Sequence, residues 1–206
     1  MTIGRLLNWL SCQKENMGDS YVVNDQYGTY FLTFQIIAWV DIFTRKCYCD
    51  IIVESLNFCV ENKGLKVHAW AIMSNHVHCL MTSSTGRLSA TLRDFKSYTA
   101  KRILETIKDE KESRRVWILF QFKRAARCHE RNSEFQVWTH ENHAVEIDPH
   151  IPNIGISKFN YIHNNPVRAG WVEEAHEYLY SSARDYARKR NGRRLEPTLR
   201  VKLAMW

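Results

Sequence analysis

In Asn75-His76-Val77-His78-Cys79, two histidines stand one residue apart inside an apolar run, with Trp70-Ala71-Ile72-Met73 before it and Cys79-Leu80-Met81 closing it. A β-strand places residues i and i+2 on one face. Both imidazoles then project together, and Val77 points the other way, into a core. Two neutral imidazoles side by side are half of a divalent-metal site. An isolated pair of this kind is more often a surface pair that binds nothing. A second stretch, Tyr161-Ile162-His163-Asn164-Asn165-Pro166, shifts that weighting.

Around the histidines, Leu65 to Met73 reads as one strand and His76 to Thr82 as its partner, with Ser74-Asn75 as a two-residue hairpin connection. Upstream, Gly28 to Val40 is rich in β-branched and aromatic residues and reads as a central strand. A helix follows to about Glu61, with Ile51, Ile52, Ser55, Leu56, Cys59 and Val60 at helical spacing and Gly64 suited to a left-handed cap. Downstream, Leu88 to about Lys108 is helical in period, with Leu92, Phe95, Thr99, Ile103 and Ile107 on one face. Val116 to Phe122 reads as further helix, and 123–134 as basic helix or mobile loop. Phe135 to Thr139 alternates like a short strand that Ala144 to Ile147 pairs back upon. The last long helix is expected from about Ser157 to Asn165, stopped by Pro166. After Glu173 come loop and helix around Tyr178 to Arg190, then a mobile basic end. The order β-α-β-β-α, an irregular basic region and a last helix predicts an α+β fold. Its single antiparallel sheet carries helices on one face and the two histidines on the other, towards solvent.

The 206 residues suffice for one domain with a real core. No apolar run approaches the roughly 20 residues of a membrane span. The opening Met1-Thr2-Ile3-Gly4-Arg5-Leu6-Leu7 lacks the long apolar segment of a signal peptide, so a cytoplasmic protein is expected. The six cysteines form no C-x-x-C pair, which argues against a zinc ribbon or a thioredoxin-type site. Lys and Arg outnumber Asp and Glu by 29 to 22, a net charge of +7. The excess is concentrated: Lys123, Arg124, Arg127 and Arg131 form one group, and Arg184, Arg188, Lys189, Arg190, Arg193, Arg194, Arg200 and Lys202 another. Most charge runs are solvated faces, but two such groups flanking the Tyr161 stretch favour a nucleic-acid partner.

Tyr161 and Asn165 are four residues apart and share one helix face. If that helix crosses the sheet face bearing His76 and His78, two imidazoles and an amide oxygen can hold one divalent ion beside the Tyr161 hydroxyl. That apparatus suits phosphodiester cleavage. The cation neutralises a phosphate oxygen and favours phenolate, whose unperturbed pKa is about 10. Attack by the phenolate on phosphorus forms a phosphotyrosine and releases a sugar hydroxyl. The covalent intermediate allows the strand to be rejoined elsewhere with no external energy source.

Asn75-His76-Val77-His78, followed about eighty residues later by Tyr161-Ile162-His163-Asn164-Asn165-Pro166-Val167-Arg168-Ala169-Gly170-Trp171-Val172, resembles the REP-associated tyrosine transposases, HUH single-tyrosine enzymes of the insertion-sequence type. Trp70-Ala71-Ile72-Met73-Ser74 and Tyr180-Ser181-Ser182-Ala183-Arg184-Asp185-Tyr186 share the likeness, which runs from about Met17 to Tyr186. The resemblance implies a ferredoxin-like or RRM-like sheet with the nucleophile helix packed near the face opposite the other helices. It implies Mg²⁺ or Mn²⁺ on His76, His78 and Asn165, Tyr161 as nucleophile, and single-stranded DNA near REP-like hairpins cut to a 5′-phosphotyrosine. It leaves residues 1–16 as an extension, 17–186 as the transposase domain and 187–206 as a basic C-terminal tail. The family includes swapped dimers and monomers, so both homodimer and monomer stay open. The 109–134 region is longer than in compact members.

Candidate DNA contacts are Arg93, Lys96 and Arg102 on the 88–108 helix, Lys123, Arg124 and Arg127 after it, and Arg168. Tyr98 is the rival nucleophile, but Arg102 stands four residues on, where an amide or acid ligand would be needed. His68, His140, His143, His150 and His163 are left outside the site; on a helix His163 faces about 200° away from Tyr161. Trp138 and Trp171 are candidate base-stacking platforms, though such residues are more often core. Two rival readings are a binding module that keeps hairpin affinity without cutting, and an RRM-type RNA-binding sheet without metal.

Overall fold

Strong β formers from Tyr30 to Gln35 give the first strand, β1, in the computed structural model, which describes residues 22–109, 112–127, 134–151, 153–191, 201 and 203. The 1–16 extension, Cys12, Cys128, Arg131 and most of the 187–206 tail lie outside the described residues. The chain continues as α1 (Lys46–Lys63), β2 (Leu65–Ile72), β3 (His76–Ser83), α2 (Leu88–Asp109), α3 (Arg115–Ala126), β4 (Val145–Glu146), α4 (Ile154–Arg168) and α5 (Ala183–Asn191). The strands form one antiparallel sheet in the order β2-β3-β1-β4. This is the expected α+β architecture in the split βαβ order of ferredoxin-like domains.

The sheet has two different faces. Tyr30, Leu32 and Phe34 of β1 join Val77, Cys79 and Met81 of β3 on one face, under α1, α2 and α3. Phe31 of β1 and Leu80 of β3 lie on the other, with Ile162 of α4. In β2 the two sets are out of simple alternation. A bulge between Val67 and Ala69 shifts the register, so Val67, Trp70 and Ile72 share the main core while Ala69 and Ala71 turn to α4. The extra residue is His68, whose Nε2 lies 3.0 Å from Thr82 Oγ1. The bulge sends fully buried Trp70 to the deep side and leaves methyl side chains where α4 crosses.

Three boundaries differ from the sequence reading. The central strand stops at Gln35, because Ala38 and Trp39 take left-handed backbone conformations (φ 54° and 56°) in a short 3-10 turn. Phe135 to Thr139 is not a strand; only an Ile36–Trp138 bridge forms there, and it is Val145–Glu146 that pairs, with β1. Pro166 does not stop the last long helix, which starts at Ile154 and runs through to Arg168. A proline within the final turn forfeits one intrahelical bond, and Gly170, at φ 72°, makes the actual exit. As expected, Gly64 caps α1 in a left-handed conformation.

The outer edge of β2 is covered by the stretch before α5. Ile72 N–H donates to Tyr180 O (2.9 Å), Ser182 N–H to Trp70 O (3.0 Å), and Trp70 N–H to Ser182 Oγ (2.9 Å). Tyr186 Oη donates to His68 O at the bulge. The basic end is not wholly free: Val201 is buried and Leu203 bridges Val67. Among the described residues, no helix is long and apolar enough to cross a membrane. Ser182 Oγ also lies 2.8 Å from His163 Nε2. Replacing Ser182 by alanine strands two buried polar groups. Urea unfolding should show a loss of about 1–3 kcal/mol, with an unchanged m-value.

Candidate active site

Strand alternation brings His76 and His78 together as the sequence implied, with Nε2 of one 3.1 Å from Nε2 of the other. Each ring is held from behind. His76 Nδ1 lies 2.7 Å from Asn75 Oδ1, and His78 Nδ1 lies 2.9 Å from Thr33 Oγ1 on the neighbouring strand. Asn75 is itself oriented, since its Nδ2 donates to Trp39 O (3.3 Å). An amide oxygen only accepts, so His76 Nδ1 carries the proton and its Nε2 presents a lone pair. The Thr33 hydroxyl serves either role. When it accepts from His78 Nδ1–H, both Nε2 lone pairs are bare and converge.

Both imidazoles are neutral at physiological pH. Burial pushes His76 down to about 4. His78 is pushed down to about 3 by burial, then by His76 and by the Lys158 ammonium. The pair therefore has the protonation state that metal binding needs. At a ligand distance of about 2.1 Å, nitrogens 3.1 Å apart subtend a near-right angle, as adjacent ligands of an octahedral ion do. Orientation through the second nitrogen is the usual support of a metal-binding histidine. Among the described residues no three His, Cys, Asp or Glu side chains come together as a metal group. A third protein donor would have to be of another type, and the amide of Asn165 is one.

Tyr161 sits on α4 across the same face. Its ring lies edge-on to His78, with centroids 5.3 Å apart, and edge-on to Phe31, at 5.8 Å. Phe31 stacks on His78 at 5.4 Å. Tyr161 is 38% exposed, so its ring is anchored while part of it meets solvent. Asn165, one turn on and half-buried, donates its Nδ2 to Tyr161 O (3.4 Å), which leaves Oδ1 as its acceptor. Arg168 lies over the Tyr161 ring, Cζ 5.6 Å from the centroid, and Lys158 over Phe31, Nζ at 4.9 Å. Lys158, Tyr161, Asn165 and Arg168 thus form one helical stripe.

Residues 30–144, more than half of the chain, match the family model described as "Transposase IS200 like". The chain belongs to the IS200-like transposase family. The matched residues include both histidines; Tyr161 and Asn165 lie beyond them. The fold is similar to a solved structure of a REP-associated tyrosine transposase bound to a REP hairpin, with a TM-score of 0.56 and 18% identity, over 84% of this chain and 88% of that one. No curated protein matches the sequence.

In this IS200-like transposase the expected site residues separate into groups. His76, His78 and Tyr161 meet, and Asn165 and Arg168 lie on the same helix stripe as Tyr161. Arg93, Lys96 and Arg102 do not join them, because α2 packs on the opposite face of the sheet. Lys96 is not a free phosphate contact: its ammonium donates to Thr139 O, His140 O and Asn142 Oδ1 at 2.7, 3.1 and 2.8 Å. Arg93 and Arg102 pair with Asp94 and Glu105 on α2. Tyr98, exposed on α2, is remote from the histidines for the same reason. Lys123, Arg124 and Arg127 are exposed at the end of α3. His163 is buried away from Tyr161, between Phe159 and Tyr186. Trp138 is core, and its Nε1 donates to Thr99 Oγ1 (3.0 Å).

Lys158, Thr33 and Phe31 were missed. Lys158 was legible as Tyr161 minus three on a helix. Thr33 and Phe31 needed the β1–β3 register, which the sequence does not print. The pH consequence has a definite sign. His76 and His78 have folded pKa values below the unfolded 6.5, so the unfolded chain takes up protons first as pH falls. Their contribution to stability is full above about 6.5 and is lost progressively towards about 4 and 3. Chemical denaturation in EDTA at pH 7 and pH 5 should show that loss, and His76→Asn with His78→Asn should reduce it to the share of buried His163, also pushed down to about 4.

Proposed function

We propose that this transposase is a metal-dependent endonuclease and strand transferase on single-stranded DNA. It cleaves and rejoins DNA near hairpins through a 5′-phosphotyrosine on Tyr161. His76, His78 and the Asn165 amide oxygen would hold Mg²⁺ or Mn²⁺. The observation that carries this reading is the pair of neutral imidazoles, Nε2 atoms 3.1 Å apart, beside a partly exposed tyrosine ring. Family membership and the likeness to a hairpin-bound REP-associated transposase support DNA, and REP-like hairpins in particular, as substrate.

The bound cation would supply charge neutralisation at the scissile phosphate. The remaining work belongs to the chain. The Tyr161 oxygen attacks phosphorus and forms the Tyr–O–P bond, while the P–O bond to the departing 3′ oxygen breaks and that oxygen takes a proton. Phe31 and His78 fix the ring whose oxygen makes the attack. Lys158 and Arg168 bring positive charge to an anionic substrate on both sides of Tyr161 along α4. Rejoining reverses the step: a 3′ hydroxyl attacks the phosphotyrosine and frees the phenol.

A labelled oligonucleotide carrying a REP-like hairpin with single-stranded flanks tests this reading. A covalent adduct should form with Mn²⁺ or Mg²⁺ and vanish with EDTA. Tyr161→Phe should abolish it, His76→Ala or His78→Ala should reduce it by at least a hundredfold (about 2.7 kcal/mol), and Tyr98→Phe should leave it intact. Hairpin binding without any adduct, across varied hairpins and both metals, would establish a DNA-binding protein that does not cut.

A further inference from the structure

Three exposed aromatic residues are unused by the site above. Trp39 is 66% exposed, Trp117 47% and Phe120 58%. Trp39 occupies the 3-10 turn after β1, and α3 packs against that turn. Trp117 and Phe120 are three residues apart on α3, on the side away from buried Ile118, Phe122 and Ala126. The same solvent face continues into Lys123, Arg124 and Arg127, at three, four and seven residues beyond Phe120. Rings and cations therefore succeed each other along one stripe.

The core residues of α3 lie on the sheet face away from the histidines, but the turn it packs against is tied to them by one contact. Trp39 O accepts the hydrogen bond of Asn75 Nδ2, and Asn75 Oδ1 holds His76 Nδ1. The backbone of Trp39 thus stands one side chain, Asn75, from His76. Like that of Ala38, it is left-handed, a conformation that non-glycine residues adopt at a cost. Burial does not compensate that cost, because the ring faces water. Strain of this kind collects at binding sites.

We propose that Trp39 and the exposed face of α3 form a second DNA-contact surface. There Trp39, Trp117 and Phe120 stack unpaired bases, and Lys123, Arg124 and Arg127 hold the phosphates of the single strand that leaves the histidine site. The occupant follows from chemistry. Aromatic faces interleaved with cations match a chain of flat bases on an anionic backbone. A protein partner would have to set an acidic run beside an apolar patch, whereas single-stranded DNA offers a base and a phosphate in every nucleotide. The proposal rests on the reading of His76, His78 and Tyr161 as a DNA-cleaving site. It assigns that enzyme the flank of its substrate rather than the hairpin.

The full-length protein carrying Tyr161→Phe provides a binding reference that does not cut. Its affinity is measured by anisotropy for three labelled DNAs: a hairpin with a single-stranded flank, the blunt hairpin, and an unstructured oligothymidine. Trp39→Gly, which also relieves the left-handed strain, and Trp117→Ala with Phe120→Ala should each weaken binding of flanked hairpin and oligothymidine roughly tenfold. Blunt-hairpin affinity should be unchanged. Lys123→Gln with Arg127→Gln should reduce the salt dependence of flank binding. Equal affinity of all variants for the flanked DNA overturns the proposal, and so does a change confined to the oligomeric state in sedimentation. Adduct formation by the Tyr161-containing protein is scored separately. Its presence with an unaltered flank affinity sinks only this inference, whereas its absence with flank binding still lost on Trp39→Gly sinks only the cleavage reading.

Discussion

The pairing of β1 with β3, with Thr33 opposite His78 and Gln35 opposite His76, is the constraint on which the rest of the site depends. A slip of one residue turns every side chain of a strand to the other face. Here it would put both imidazoles under α1 and α2. The slip is prevented from the opposite side of the sheet. Tyr30, Leu32, Phe34, Val77, Cys79 and Met81 are all at most 1% exposed. Burying a large apolar side chain contributes about 1.5–3 kcal/mol. The summed preference exceeds anything the histidines themselves contribute to the register. The site is a by-product of a core it does not touch.

The second constraint is the bulge at His68. It lets one strand serve two unlike neighbours. Before it, Val67 points to the main core; after it, Trp70 and Ile72 do. Ala69 and Ala71 are left facing α4 and allow that helix to approach. α4 is then held from its far side, where His163 meets Ser182 and packs on Phe159 and Tyr186. The Tyr180-to-Tyr186 stretch is thus structural. It closes the β2 edge, which would otherwise expose unpaired backbone groups, and it supports the helix that carries Tyr161.

Much of this was legible in the sequence, for reasons that can be named. Periodicity placed the α2 face of Leu92, Phe95, Thr99, Ile103 and Ile107, all buried. Strand alternation placed the histidine pair, and the four-residue spacing put Tyr161 and Asn165 on one strip. What failed were inferences from composition. Lys96 looks like any helix cation, yet it satisfies three oxygens of the 139–142 segment. Pro166 looks like a stop, yet in the last turn it removes a single bond. Of the two tryptophans named as stacking candidates, Trp138 is core and Trp171 is exposed beside Tyr178. Further exposed rings sit at Trp39, where an apolar run suggested strand, and on α3, where Trp117 and Phe120 share a run with buried neighbours. Sequence gives the period of an element but not which tertiary neighbour arrives to cover a face.

Charge at the site follows the same logic at shorter range. Buried imidazoles stay neutral, so the positive charge comes from Lys158 and Arg168, and both rest over aromatic rings. A cation over a ring at a partly exposed position gains about 0.5–1 kcal/mol. A hydrogen bond between two charged groups is worth more, about 1.5–3 kcal/mol. On the proposed function, a phosphate reaching Tyr161 would draw these cations off their rings at a net gain. A carboxylate partner of equal strength would have had to be displaced first. The rings keep the cations close and partly ordered while leaving their hydrogen-bond donors to other acceptors.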